Sequence, residues 1–344
     1  MNITACGVDD FSLLANRGTV IKIIHPNLQA MGGTVLSIQS HVAHGYVGNK
    51  AAVFPLQCLG WDVDVVNTVN FSNHTGYGKT RGTTMDPNEL QDIFSQLDSR
   101  LNLSYDAMLT GYIPNAALIR AIGRHAHNAK QRTPDMMYLL DPVMGDNGYM
   151  YVDKSCIDEY RTILESRVVD IITPNQYELE LLVQCKIDTP QQLEKAMDHA
   201  HRSYGVTYCV VSSVTFGNST YCAFSTLNQP PKLFHIPLIK SYFTGVGDLF
   251  AAVLLDRLYT SRNIETALSE VLEVMAKTLA LTHKAGVDEF HREFPGQSIE
   301  SKINDGTTMR YFELRVIQAK SYFHLKESPF RSQHLDSVSI SSIA

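Results

Sequence analysis

From Thr34 onward, short runs of β-branched and aliphatic residues alternate with longer stretches whose apolar positions recur at helical spacing. That alternation is the signature of repeated βαβ units around a mostly parallel sheet. Strands are predicted over 34–37, 62–69, 107–110, 137–140, 170–173 and 208–212. Helices are predicted over 49–59, 88–98, 115–128, 154–164 and 190–204, with a further apolar one over 249–259. The fold class that follows is α/β, a three-layer αβα sandwich in a single domain, expected over 34–325. Residues 1–33 show no sustained periodicity and are expected to form a disordered extension, within which Met31 is an alternative start point. Residues 326–344, whose last part is rich in Ser, are expected to be a mobile tail. No repeat of solenoid or propeller length is present.

In an open parallel sheet, ligands bind beyond the carboxyl ends of the strands, so the polar residues that follow each strand bear the chemistry. These are the segments 40–49, 71–77, 110–112, 141–146 and 173–178, then Ser212 and Ser213 after the sixth strand. The sharpest feature is the segment 243–248, Phe-Thr-Gly-Val-Gly-Asp, which runs straight into the apolar helix. Gly245 and Gly247 permit a tight turn with converging backbone N–H groups, and the helix adds the positive end of its dipole. Such a turn binds an anion. Alone, Asp248 at its edge is equally an N-cap.

Asp141 and Glu178 are carboxylates at neighbouring strand ends, and Asn175 and Glu178 share one helical face at i, i+3. Oxygen donors of this kind suit Mg²⁺ held largely through water and phosphate. Taken alone, Asn175 and Glu178 read better as a helix cap and a solvated first-turn acid than as metal ligands. Asp141 and the glycine turn favour the metal reading.

Gly78-Lys79-Thr80 resembles the end of a Walker A loop, but Asn73 stands where its first glycine belongs and 81–87 is loop-like. The stretch reads instead as a flexible flap over a substrate. His41, His44 and His74 lie in two loops without metal-ligand spacing and read as hydrogen-bonding residues.

Composition narrows the partners. The chain has 344 residues, 44% of them apolar and 19% charged, with a formal charge of −6. That balance fits a globular protein with a large core and argues against general affinity for nucleic acid or anionic membrane. Six cysteines without a C-x-x-C pair indicate neither zinc nor a redox motif. With no apolar run of membrane-spanning length, and Asp9 and Asp10 near the start, a cytoplasmic protein acting on small molecules is expected.

Six ordered motifs carry a family resemblance: 35–49 (VLSIQSHVAHGYVGN), 71–77 (FSNHTGY), 109–112 (LTGY), 141–146 (DPVMGD), 171–178 (IITPNQYE) and 245–252 (GVGDLFAA). Together they resemble pyridoxal kinase of the ribokinase-like superfamily, over residues 34–320. The resemblance implies a ribokinase-like fold and ATP-dependent phosphorylation of the 5′-hydroxymethyl group of pyridoxal, pyridoxine and pyridoxamine, giving pyridoxal 5′-phosphate in B6 salvage. By position it implies that Asp248 is the catalytic base, beside the Gly245 and Gly247 amides. Ser40 and Thr75 would hold the pyridoxal ring, with Val47, Phe71 and Tyr112 packed around it. Asp141, Asn175 and Glu178 would serve Mg²⁺ and ATP, with Val246, Gly247, Ser212 and Ser213 as nucleotide contacts. Asp146 and Thr173 match a monovalent-cation site for K⁺ or Na⁺. A homodimer and a short lid over ATP are also implied.

Two positions depart from the family pattern. The flap between Asp146 and Tyr151 is shortened, and Val246 stands where the family usually has threonine. The competing readings are a hydroxymethylpyrimidine kinase of the same superfamily and a non-catalytic relative that binds nucleotide or vitamin.

Overall fold

The computed structural model describes residues 33–302 and 304–337. The expectations for residues 1–32, including the alternative start, and for 338–344 lie outside them. The first half runs β1 (Thr34–Val42), α1 (Asn49–Cys58), β2 (Asp62–Phe71), β3 (Gly82–Thr84), α2 (Pro87–Ser95), β4 (Ala107–Thr110), α3 (Ala116–Arg132) and β5 (Met137–Leu140). A small hairpin of β6 (Gly145–Asp146) and β7 (Tyr149–Met150) follows, then α4 (Ser155–Glu165), β8 (Ile171–Ile172), α5 (Gln176–Val183) and α6 (Pro190–Tyr204). The chain continues with β9 (Tyr208–Phe216), β10 (Ser219–Thr226), β11 (Lys232–Ile236), α7 (Val246–Ser261), α8 (Ile264–Glu293), α9 (Gly306–Met309) and β12 (Gln333–His334).

One sheet has the order β12-β11-β10-β9-β8-β5-β4-β1-β2-β3. Its centre, from β9 to β2, is parallel, while β3 at one edge and β10 to β12 at the other run antiparallel. Adjacent residues on the central strands enter opposite cores, as the period of two requires. On β5, Met137 and Leu139 join the layer of α1, α7 and α8, while Tyr138 and Leu140 join that of α2 to α6. Strands β4, β5 and β8 are buried on both faces, so they read as short, almost wholly apolar runs. The architecture is the three-layer αβα sandwich expected from the sequence.

The chain passes from β1 to β2 on one side and then to β4 on the other, which leaves a crevice at their carboxyl ends. Helix α7 aims its N-terminus there. Its residues Leu249–Leu258 are all buried, and the charge of Arg257 among them meets the carboxylates of Asp256 and Glu270 and the carbonyls of Phe323 and Leu325. Such a helix is a rigid mount, because breaking a buried ionic set leaves an uncompensated charge.

Two expectations are corrected. The stretch 81–87 is not all loop: Gly82–Thr84 pairs with β2, and Pro87 opens α2 capped by the Asp86 side chain. No helix directly follows Thr80, which removes the Walker A reading among the described residues. Residues 326–337 are not a free tail either. Gln333–His334 pairs with β11, Leu335 is buried, and Phe330 packs on the core of α7 and α8.

Candidate active site

The carboxyl ends of β1, β2, β4 and β5 surround a cavity of about 360 Å³. Ser40, Val47, Phe71, Thr75, Tyr112, Asp141, Gly245, Val246, Gly247 and Asp248 all line it. Residues separated by two hundred positions in sequence are thus brought to one place by the strand-end rule.

Gly245 caps α7 in the left-handed conformation, with φ of 76°. A Cβ there would lie 1.9 Å from the Tyr46 carbonyl oxygen, so only glycine lets the turn close against the loop after β1. The first backbone N–H groups of α7 have no partner within the helix and point, with the helix dipole, toward the crevice. Asp248 lies in that first turn. Its Oδ2 accepts the Gly48 N–H at 2.7 Å, and Oδ1 takes no hydrogen bond from the described residues. Burial pushes its pKa up to about 6, although the Gly48 N–H pulls the other way. A carboxyl so placed is anchored through one oxygen, keeps the other free, and has its ionisation shifted upward toward neutrality.

Asp141 is buried at the end of β5, and a Cβ at Gly247 would sit 3.5 Å from its Oδ2. Its pKa is held well above the carboxylate range, first by burial and then by Glu178 and Asp248. Glu178 is raised to about 7 by burial, against the pull of the backbone N–H groups of Asn175, Met144 and Gly145. Asn175 and Glu178 form a capping box: Asn175 Oδ1 accepts the Glu178 N–H and Glu178 Oε2 the Asn175 N–H, both at 2.9 Å. The capping role weighed from the sequence is therefore real. It also fixes Glu178 behind Asp141, where Glu178 Oε1 accepts the Met144 N–H at 2.9 Å.

Thr173 is buried, and its Oγ1 makes no well-formed hydrogen bond. Asp146, at the start of the small hairpin, has its pKa raised by burial. This donor set is all oxygen, buried and short of positive charge, which fits a hard cation. Among the described residues, no three His, Cys, Asp or Glu side chains are grouped to hold a metal by themselves. Mg²⁺ here would take most of its ligands from water and phosphate.

Asn175, Glu178, Thr173, Asp146, Ser212 and Ser213 do not line the cavity itself. Ser212 and Ser213 lie within β9, and the Ser212 N–H donates to the Pro174 carbonyl at 2.9 Å. They flank the loop that carries Asn175.

Several cavity residues were given no site role from the sequence, although His74 and Thr244 lie in segments it singled out. Tyr149, Tyr151 and Tyr242 form an aromatic rim, and His74, Thr244 and Asn304 complete the wall. The Asn147-Gly148 turn, both residues at positive φ, was a readable hairpin signal for the rim. Asn304 carried no signal, since it comes from an irregular segment whose N–H bonds the Gly76 carbonyl at 2.8 Å. His74 caps the turn Thr75–Tyr77, accepting the Gly76 N–H at Nδ1, and burial lowers its pKa. It is a neutral, structural histidine.

A glycine turn at a helix start, with a half-free carboxylate in the first helical turn facing acid oxygens across a sheet switch point, has the parts that phosphoryl transfer on an αβα sandwich requires. Residues 60–292 match the family model described as phosphomethylpyrimidine kinase. The chain is 42% identical over 303 residues to the Saccharomyces cerevisiae protein BUD16, covering 84% of this chain and 94% of that one. It is 34% identical over 313 residues to the pyridoxal kinase of Dictyostelium discoideum, covering 88% of this chain and 99% of that one. The structure of pyridoxal kinase from Leishmania donovani in complex with ADP and pyridoxine superposes with a TM-score of 0.75 at 31% identity, over 87% of this chain and 98% of that one. This chain belongs to the pyridoxal kinase family of ribokinase-like proteins.

Proposed function

We propose that this chain transfers the γ-phosphoryl group of ATP to the 5′-hydroxymethyl group of pyridoxal, and of pyridoxine and pyridoxamine. The observation that carries the reading is Asp248, held by Gly48 at the mouth of the anion turn and facing the cavity. The hydroxymethyl proton passes to the free oxygen of Asp248 as the alcohol oxygen attacks the γ-phosphorus, the bond from that phosphorus to the bridging oxygen breaks, and ADP leaves. The N–H groups at the start of α7 receive the charge of the phosphoryl group in flight. Val47, Phe71 and Tyr112 make a flat apolar slot for the ring, and Ser40 and Thr75 offer it hydroxyls.

Asp141, backed by Glu178, would hold Mg²⁺ through its water shell. When bound, the ion supplies charge neutralisation between the phosphates. The buried Thr173 hydroxyl, which makes no well-formed hydrogen bond, and the half-buried Asp146 carboxyl are the oxygens that support a K⁺ or Na⁺ ion at this end of the sheet. The family resemblance favours a homodimer, which sedimentation would check. No helix among the described residues is long and apolar enough to cross a membrane, which is compatible with a cytoplasmic enzyme.

The match to the phosphomethylpyrimidine kinase model keeps one second substrate in view. Turnover of MgATP against pyridoxal, pyridoxine, pyridoxamine and hydroxymethylpyrimidine decides between them. Phosphorylation of the B6 vitamers supports the reading; turnover confined to the pyrimidine replaces it, and nucleotide binding without turnover points to a non-catalytic relative.

A further inference from the structure

Glu313 sits outside the cavity and in none of the six motifs, yet its carboxylate is the meeting point of three active-site loops. Its Oε2 accepts the backbone N–H of Tyr46 at 2.8 Å and the hydroxyl of Thr244 at 3.1 Å. Its Oε1 accepts the phenol of Tyr77 at 2.5 Å. The residue is only 5% exposed, between the fully buried Leu314 and the nearly buried Phe312. A Cβ at Gly45 would lie 2.5 Å from the carboxyl group, so the loop after β1 is built to let the acid in.

Each partner adjoins a working part. Tyr46 precedes Val47, which walls the ring slot, and Gly48, which anchors Asp248. Tyr77 closes the turn that presents Thr75. Thr244 precedes Gly245 of the anion turn, and its backbone forms an isolated parallel bridge with Glu313 itself. Burial and the neighbouring carboxylate keep the Tyr77 phenol protonated, so it remains a donor. A buried carboxylate needs every one of these donors, and each donor fixes a different loop.

We infer that Glu313 is a positioning residue for the reaction, a single acceptor that sets the vitamin-holding turn, the base anchor and the anion turn in mutual register. This rests on the kinase reading for its consequence, while the stapling itself is independent of substrate. Glu313→Gln is nearly isosteric but turns an amide NH₂ toward one or more donors, so the staple opens without leaving a cavity.

Two readouts test it. In hydrogen exchange, Glu313→Gln should speed exchange roughly tenfold in all three of the segments 44–48, 74–78 and 243–246, with the strands of the sheet unchanged. In steady-state kinetics it should lower kcat/KM for pyridoxal by roughly tenfold or more, with KM for ATP within about twofold and Tm nearly kept. Tyr77→Phe should give a smaller loss that does not add to that of Glu313→Gln. If Glu313→Gln fails to fold, Tyr77→Phe alone should still loosen segment 44–48 through the shared carboxylate. Loosening confined to the mutated loop, additive losses, or unchanged exchange would overturn the inference. A parent protein inactive on pyridoxal would refute the kinase reading, while the exchange result would still decide the staple.

Discussion

The backbone N–H of Gly48 donates to Asp248 Oδ2 at 2.7 Å, tying the loop after β1 to the first turn of α7 across two hundred residues of sequence. The contact orients the carboxylate and, with burial opposing it, leaves the pKa raised to about 6. The base form is the ionised one, so it dominates above that value and is lost below it. With Mg²⁺ saturating, so that Glu178 stays ionised, kcat/KM for pyridoxal should be level from neutrality down to about pH 6 and then fall roughly tenfold per pH unit. A profile level down to pH 4.5 would show that no such carboxyl controls the step.

Glu178 should act through the metal more than through the vitamin, since it stands behind Asp141 and away from the ring slot. Glu178→Gln preserves a residue type that capping boxes accept, so the start of α5 should survive. The Mg²⁺ concentration for half-maximal rate should rise roughly tenfold or more, with KM for pyridoxal changed far less. An unchanged Mg²⁺ dependence would remove Glu178 from the metal's surroundings.

Val246 opens α7 and lines the cavity, at the position where the family usually has threonine. Both residues are β-branched, so exchanging them should leave the turn intact. A hydroxyl there can donate to phosphate, and a hydrogen bond to a charged group contributes about 1.5–3 kcal/mol, roughly ten- to a hundredfold in rate if realised in the transition state. Val246→Thr should raise kcat several-fold or more with KM for pyridoxal little changed. No gain, from a parent already fast, would mean the hydroxyl is dispensable here.

Much of this was readable in the sequence, for identifiable reasons. Met137–Leu140 was bounded correctly because all four residues are buried, and an unbroken apolar run bounded by polar loops has few other meanings. Asp141, Gly245 and Asp248 could be singled out because strand ends and glycine turns mark candidate ligand sites without knowledge of packing, and all three line the cavity. The antiparallel edge was missed although Gly217-Asn218 joins β9 to β10 as a two-residue hairpin loop. Helix α8, thirty residues long, was not assigned, and the strand expected over 170–173 shrinks to Ile171–Ile172. Glu313 was out of reach: its partners Tyr46, Tyr77 and Thr244 are distant in sequence, and only the fold makes them neighbours.

The C-terminal segment supplies a test of the corrected boundary. Leu335 is 5% exposed, Phe330 packs on the α7 and α8 core, and the Ser269 hydroxyl donates to the Phe330 carbonyl at 3.0 Å. Burial of one leucine is worth about 1.5–3 kcal/mol. Ending the chain after Lys326 should therefore lower Tm by several degrees and expose the β11 edge. An unchanged Tm would return the segment to the status of a tail.

The proposed role of Asp248 is to take the proton from the vitamin's hydroxymethyl group while the start of α7 holds the transferring phosphoryl. It is tested most directly by following pyridoxal 5′-phosphate formation from pyridoxal and MgATP with the parent protein and with Asp248→Asn. The parent should form product steadily, and kcat of the variant should be lower by roughly a hundredfold or more, with Tm and ATP binding retained. Near-parental turnover by a folded Asp248→Asn protein would contradict it.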